Sequence, residues 1–340
     1  MPADPPGFFP PVHVIPPLSL PHRHTIILLH GRGLSWGTFG RDLLSAPFPL
    51  PPPSRRAAAG TLGTLRSVYP HARFVLPTAP RQRATIYARS LVRQWFDGWH
   101  LHDRDNNNNN NNNNNDDNND DHEGDEEEWR CIAGLRDTVA HVHGLVRAEA
   151  ALVGGARNVA LGGLSQGCAA GLAALLLWDG AEPLAGFLGM CGWLVFERAL
   201  VRGALEAGGE EDDGFDPFER EEEEDGGESG GTGDGRDEVS VEARVVRALR
   251  EMLELDDEDD GGKGPTRRPS AFDTPVFLGH GLDDDKVPIS RGRGAAEFLK
   301  AAGMHVEWKE YHDLGHWYSP AMLSDMASFL ARRSNWDRDG

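Results

Sequence analysis

The run Asn158-Val159-Ala160-Leu161-Gly162-Gly163-Leu164-Ser165-Gln166-Gly167, continued by an alanine- and leucine-rich stretch to Trp178, decides how the chain folds. Its beginning, residues 158–161, is a short apolar run that suits a strand buried on both faces, and residues 166–178 suit a buried helix. Between them stands Gly163-Leu164-Ser165-Gln166-Gly167. A serine on a sharp strand-to-helix turn holds its Oγ clear of the sheet. Small neighbours relieve crowding there, and the helix N-terminus supplies N–H groups and positive dipole. The setting, more than the Gly-x-Ser-x-Gly pattern itself, marks Ser165 as a candidate nucleophile.

Working outward, apolar runs at 25–29, 73–76, 184–188, 275–278 and 305–310 read as further strands, most of them apolar on both faces. Helical patterns lie between them. Ile132, Leu135, Val139, Val142 and Val146 step by three and four, residues 295–301 form another helical segment, and Ser319-Pro320 supplies an N-cap and first residue for a helix over 321–330. Alternating strands and helices predict an α/β fold with a mainly parallel central sheet covered on both faces.

The charge is −20 overall, from 34 Lys+Arg against 54 Asp+Glu, and it is unevenly placed. Residues 101–128 hold 11 acidic and 1 basic side chains (net −10), and residues 206–262 hold 24 and 5 (net −19), which leaves +9 on everything else. The Asn run 106–115, the stretch 206–236 and residues 256–262 lack apolar periodicity and are expected to be disordered insertions. Val241, Val245, Leu249 and Met252 predict an amphipathic helix between the latter two, packed on the domain surface. The expected organisation is a Pro-rich segment 1–23, a domain over 24–332 with acidic insertions at about 101–128 and 206–265, and a tail 333–340.

Several classes are excluded. The longest apolar runs are far short of the roughly 20 residues needed to span a bilayer. The N-terminus has no basic start and apolar h-region, so no secretory leader is expected. Cys131, Cys168 and Cys191 are odd in number and lack metal-ligand spacing, which fits a reducing, cytoplasmic setting and no metal. Cys168 and Cys191 read as buried small residues. So acidic a chain would not bind nucleic acid through its average field.

An alcohol nucleophile needs a base, and the base needs a carboxylate to hold its tautomer. Four histidines follow Ser165, namely His280, His305, His312 and His316; His316 follows Gly315 in a loop ahead of the last helix and is the candidate base. The acid belongs just beyond the strand 275–278, where Asp283, Asp284 and Asp285 compete and spacing does not choose between them. Two N–H donors must hold the developing oxyanion. One is the N–H of Gln166, and the other is expected from the loop His30-Gly31-Arg32-Gly33, which follows an early strand directly.

Leu29-His30-Gly31-Arg32-Gly33, Pro77-Thr78-Ala79-Pro80, Trp95-Phe96-Asp97, Gly163-Leu164-Ser165-Gln166-Gly167, His280-Gly281 with Val287-Pro288, and Gly315-His316 together resemble the acyl-protein thioesterase/carboxylesterase (phospholipase/carboxylesterase) family of α/β-hydrolases, fungal-type members above all. The resemblance runs from about residue 24 to 332, outside the two acidic insertions. It implies an α/β-hydrolase fold, Ser165 as nucleophile, His316 as base and Asp284 as acid, with Arg32 and Gln166 as main-chain oxyanion donors. It also sets Trp95, Phe96, Met190, Trp193 and Leu194 beside the acyl groove, and implies no cofactor. Arg32 stands where Leu is frequent, Asp285 where Pro often follows the acid, and Cys191 where Ser is usual. The expected substrate is an acylated protein, or a small or lipid ester as for a carboxylesterase or lysophospholipase, with at most transient membrane contact. A non-catalytic scaffold that uses the acidic insertions to recruit basic partners is the reading from a different class.

Overall fold

Strand β2 (His24–Leu29) shows how the sequence builds the sheet, because all six of its residues are buried and they alternate between two cores. Ile27 and Leu29 face one core, Ile26 and Leu28 the other, as the two-residue period of a strand requires. The computed structural model describes residues 4–5, 8–50, 61–97, 120–201, 203, 239–255, 268–332 and 336, over 120–130 by backbone alone.

Before β2 runs β1 (His13–Ile15); after it come α1 (Arg41–Ser45), β3 (Phe48–Pro49), β4 (Leu62–Gly63), α2 (Leu65–Val68) and β5 (Ala72–Leu76). A hairpin of β6 (Arg81–Ala84) and β7 (Ser90–Arg93) precedes the long helix α3 (Asp120–Val153). The remainder alternates: β8 (Val159–Leu164), α4 (Gln166–Leu176), β9 (Gly186–Met190), α5 (Glu197–Leu200), α6 (Val241–Met252), β10 (Val276–Gly281), α7 (Ile289–Ala301), β11 (Val306–Tyr311) and α8 (Pro320–Ala331). Seven strands form one sheet in the order β1-β5-β2-β8-β9-β10-β11, parallel except for β1. This is the α/β-hydrolase arrangement that the sequence implies.

Each face carries its own core. Leu135 and Val139 of α3, Leu172 of α4, Val245 and Leu249 of α6 and Leu299 of α7 cover one side; Leu43 of α1, Leu65 of α2 and Met322, Met326 and Phe329 of α8 cover the other. Burying each such side chain contributes about 1.5–3 kcal/mol. The expected N-cap is present, with Ser319 Oγ accepting from the Met322 N–H at 3.2 Å.

Four features differ from the sequence reading. The Pro-rich segment supplies the edge strand β1, which pairs with β5, and His13 stacks on Trp36; a three-residue strand among prolines has too little pattern to be legible. Trp336, expected in the tail, is fully buried against His24 and Tyr69. Helix α3 starts at Asp120, inside the acidic segment, since glutamates at helical positions extend a helix whose later turns are anchored by packing. Helix α7 begins at Ile289 rather than 295, Gly292 and Gly294 having masked its first turns. Residues 101–119, 206–238 and 256–265, which hold most of the predicted disorder, lie outside the described residues. No helix among the described residues is long and apolar enough to cross a membrane.

Candidate active site

In register, Leu29 of β2 lies beside Gly163 of β8, Leu164 beside Met190 of β9, and Met190 beside Gly279 of β10. The loops after these strands therefore meet at one edge of the sheet, the carboxyl edge where parallel α/β sheets place their sites.

Ser165 sits on the turn from β8 into α4 with φ 56° and ψ −122°. A non-glycine residue there stores roughly 1–3 kcal/mol of strain, so the surroundings must impose it. They do so in two ways. The Ser165 N–H donates to Met190 O at 2.8 Å, and the Ser165 carbonyl accepts from Cys168 and Ala169 at 2.9 and 3.1 Å. The glycines leave no clearance: a Cβ on Gly167 would stand 2.5 Å from the carbonyl oxygens of Leu29 and His30, and one on Gly163 would collide with the Gly167 backbone. Gly31 passes so near that its Cβ would be 3.4 Å from Ser165 Cβ.

Of the three competing carboxylates, Asp284 alone turns inward. Its side chain is 0% exposed against 73% for Asp285, and Asp283 is also exposed. Asp284 Oδ2 lies 2.7 Å from His316 Nδ1, while Oδ1 accepts from the N–H groups of Lys286 and Val287, both at 2.9 Å. Burial opposes the charge on Asp284, but hydrogen bonds from His280, His316 and Val287 outweigh it and hold the carboxyl well below the usual range. An ionised carboxylate only accepts, so His316 Nδ1 carries the proton and Nε2 is left as an acceptor. Cys191 joins the two halves: it follows Met190, whose carbonyl holds Ser165, and its Sγ donates to Trp317 O at 3.3 Å, next to His316. Among the described residues no hydrogen bond links the Ser165 hydroxyl to His316; in unliganded sites such contacts are often long and tighten with substrate.

The loop 30–33 is strapped down by the other motifs. His30 donates from Nδ1 to Gly31 O at 2.7 Å and accepts at Nε2 from the Ala79 N–H at 3.0 Å, a neutral ring whose pKa burial lowers to about 4. Trp95 Nε1 donates to His30 O at 2.7 Å, and Gln166 bridges the Trp95 N–H and Phe96 O at 3.0 and 2.7 Å. The backbone N–H of Gln166, at the first helical position, has no acceptor within the helix. Arg32 keeps a half-buried side chain whose guanidinium is drawn below its usual value by burial, against the pull of Tyr87 and Asp97.

Trp95, Phe96 and Leu194 lie in one core and Met190 in the other, all essentially buried; only Trp193 is half-exposed. Leu34 and Trp317, both half-exposed, adjoin Gly31 and His316 instead. Their chain proximity to Gly31 and His316 was the available signal. His280, whose Nε2 reaches the carboxylate, was also missed. Cys191, Asp284 and His316 offer three metal-ligating atoms within 4.8 Å of one another, but the Asp284–His316 contact occupies two of them and burial pushes the Cys191 thiol up to about 12.

Residues 265–334 match the family model described as phospholipase/carboxylesterase. Acyl-protein thioesterase 1 of Gibberella zeae is 42% identical over 60 residues, 18% of this chain and 26% of that protein, and Carboxylesterase SOBER1 of Arabidopsis thaliana matches equally well over the same shares. The chain thus covers about a quarter of the length of these curated relatives. A probable inactive carboxylesterase of Oryza sativa is 25% identical over 250 residues, 74% of this chain and 67% of that one. Solved structures of Zea mays acyl-protein thioesterase 2 (TM-score 0.54, 19% identity, 94% and 97% covered) and Arabidopsis thaliana SOBER1 (0.54, 21%, 92% and 99%) share the fold.

Proposed function

We propose that this chain, which belongs to the phospholipase/carboxylesterase family of α/β-hydrolases, is a serine hydrolase that cleaves acyl thioesters or oxygen esters through an acyl-Ser165 intermediate. The observation that carries the reading is the 2.7 Å contact between Asp284 and His316 at the sheet edge where Ser165 stands on its strained turn. Ser165 Oγ attacks the acyl carbon as His316 Nε2 takes its proton. The N–H groups of Gln166 and Arg32 hold the oxyanion, each such donor being worth about 3–4 kcal/mol of barrier. Collapse expels the thiol or the alcohol, to which His316 returns the proton; water activated by the histidine, neutral again, then attacks the acyl-Ser165 and releases the acid, the proton passing back to Ser165 Oγ. Asp284 holds the His316 tautomer and balances its transient positive charge.

On this reading the half-exposed apolar side chains Leu34, Trp193 and Trp317 receive the acyl chain, and each methylene buried there contributes up to about 0.8 kcal/mol. A panel of matched thioesters and oxygen esters from C2 to C8 tests the reading. kcat/KM is expected to rise with acyl length, with thioesters cleaved at least as well as oxygen esters. A strong preference for acetyl esters would favour the small-ester carboxylesterase instead. The non-catalytic scaffold has one observation on its side, the rice relative whose name calls it inactive. Fluorophosphonate labelling separates the two: covalent capture at Ser165 supports the hydrolase, and soluble protein that stays unlabelled supports the scaffold.

A further inference from the structure

A second histidine bears on the same carboxylate. His280, next to the last residue of β10, is fully buried, and its Nε2 lies 3.1 Å from Asp284 Oδ2 and 3.0 Å from the carbonyl of Val287. Both neighbours are acceptors, so Nε2 must carry a proton. The other nitrogen, Nδ1, is buried without a hydrogen-bond partner. It is wedged against Gly292, where an added Cβ would stand 2.5 Å from it, with the Trp308 ring 6.0 Å from the imidazole. A proton on Nδ1 would be a buried donor with nothing to receive it, which favours the neutral ring protonated at Nε2.

Asp284 accepts three hydrogen bonds, two backbone N–H groups on Oδ1 and His316 Nδ1–H on Oδ2, and Oδ2 also lies 3.1 Å from the His280 Nε2–H that is shared with Val287 O. The donors on Oδ1 belong to the turn that carries Asp284 itself. His280 comes from the strand, so its bond ties the carboxylate to the sheet.

We propose that His280 is a positioning residue for the proton-transfer pair, donating Nε2–H to Asp284 Oδ2 so that the carboxylate is aimed at His316 and its charge is shared between two donors. The inference rests on the serine-hydrolase reading of Ser165, Asp284 and His316. Sharing has a sign. With the His280 donor removed, Oδ2 concentrates its charge on His316, the His316 cation is favoured, and the acid limb of the kcat/KM profile moves to higher pH. Among the described residues, the titratable groups facing this carboxylate are His280 from β10, His316 from the loop before α8 and Cys191 from the turn after β9. The Lys286 ammonium is turned to Asp285 at 3.1 Å, and Glu310, near Trp308, is paired with Arg293.

The test uses the full chain. Nitrogen-15 imidazole spectra of the wild type are expected to show one histidine, absent in His280→Gln, with its proton on Nε2 and none on Nδ1. His280→Met should lower kcat about 10- to 100-fold with KM little changed and raise the acid limb, while His280→Gln, whose amide can donate from a similar place, should recover most of the loss. A His280 ring protonated on Nδ1 overturns the proposal even if the Met variant does not fold. So does a folded His280→Met enzyme with wild-type kcat and acid limb, or equal damage in both variants with an unmoved limb, which would mean packing alone. Wild-type protein that fails to label with fluorophosphonate would overturn the hydrolase reading instead, and the tautomer would still report whether the His280 contact exists.

Discussion

The turn that carries Ser165 and the turn that carries Asp284 hold their side chains by opposite means. Around Ser165 the constraint is volume: a left-handed backbone is clamped between glycines whose missing Cβ atoms would strike the carbonyl oxygens of Leu29 and His30 or the neighbouring helix turn. Around Asp284 the constraint is polarity, three hydrogen bonds and the close His280 Nε2 converging on one carboxylate. A steric clamp is indifferent to what the serine oxygen does but intolerant of an added methyl. A hydrogen-bonded clamp should be the reverse.

The sharpest break in that comparison is Ser165→Ala, which removes one oxygen and no packing. Activity should fall by at least about 10⁴-fold at an unchanged melting temperature, and a purified variant with substantial turnover would end the nucleophile assignment. Asp284→Asn should cost about 10³- to 10⁴-fold in kcat, because an amide N–H can face His316 and favour the wrong tautomer, while Asp283→Asn and Asp285→Asn stay near wild type. Equal losses at all three would remove the distinction between the inward carboxylate and its exposed neighbours. Gly167→Ala tests the steric side: its Cβ would meet main chain that has no side-chain end to yield, so about 3 kcal/mol of stability should be lost, read by denaturant unfolding. A neutral result would show that the elbow is softer than its contacts suggest.

Acid should separate the two turns as well. Burial holds His24, His30 and His141 near a pKa of about 4, against 6.5 in the unfolded chain, so between those values the unfolded state binds more protons and stability falls as pH drops. Asp284, lowered from 3.8, keeps its full contribution above that value and loses it only at lower pH. Melting temperature is therefore expected to decline from about pH 6.5 toward 4, less steeply in His24→Asn or His141→Asn, with the strap on loop 30–33 failing before the Asp284 turn. A flat profile over that window would contradict the buried neutral rings. The smallest effect is expected at Cys191, which stands between the turns. Cys191→Ser keeps a donor toward Trp317 O, and activity should stay within about threefold.

Local pattern was enough for the parallel sheet, the elbow at Ser165 and the capped helix after Ser319, because strand period, helix period and turn chemistry are written in neighbouring residues. The tertiary structure decided what depends on direction and depth. Asp283, Asp284 and Asp285 are equivalent in composition, and only the path of the turn after β10 sends one of them inward. Trp95, Phe96, Met190 and Leu194 are apolar whether they line a groove or fill a core, and only the packing of two faces against one sheet fixes how deep each lies. His280 lies four residues before Asp284 in a strand-to-turn segment, and its contact with that carboxylate exists only because the chain doubles back over the end of the strand.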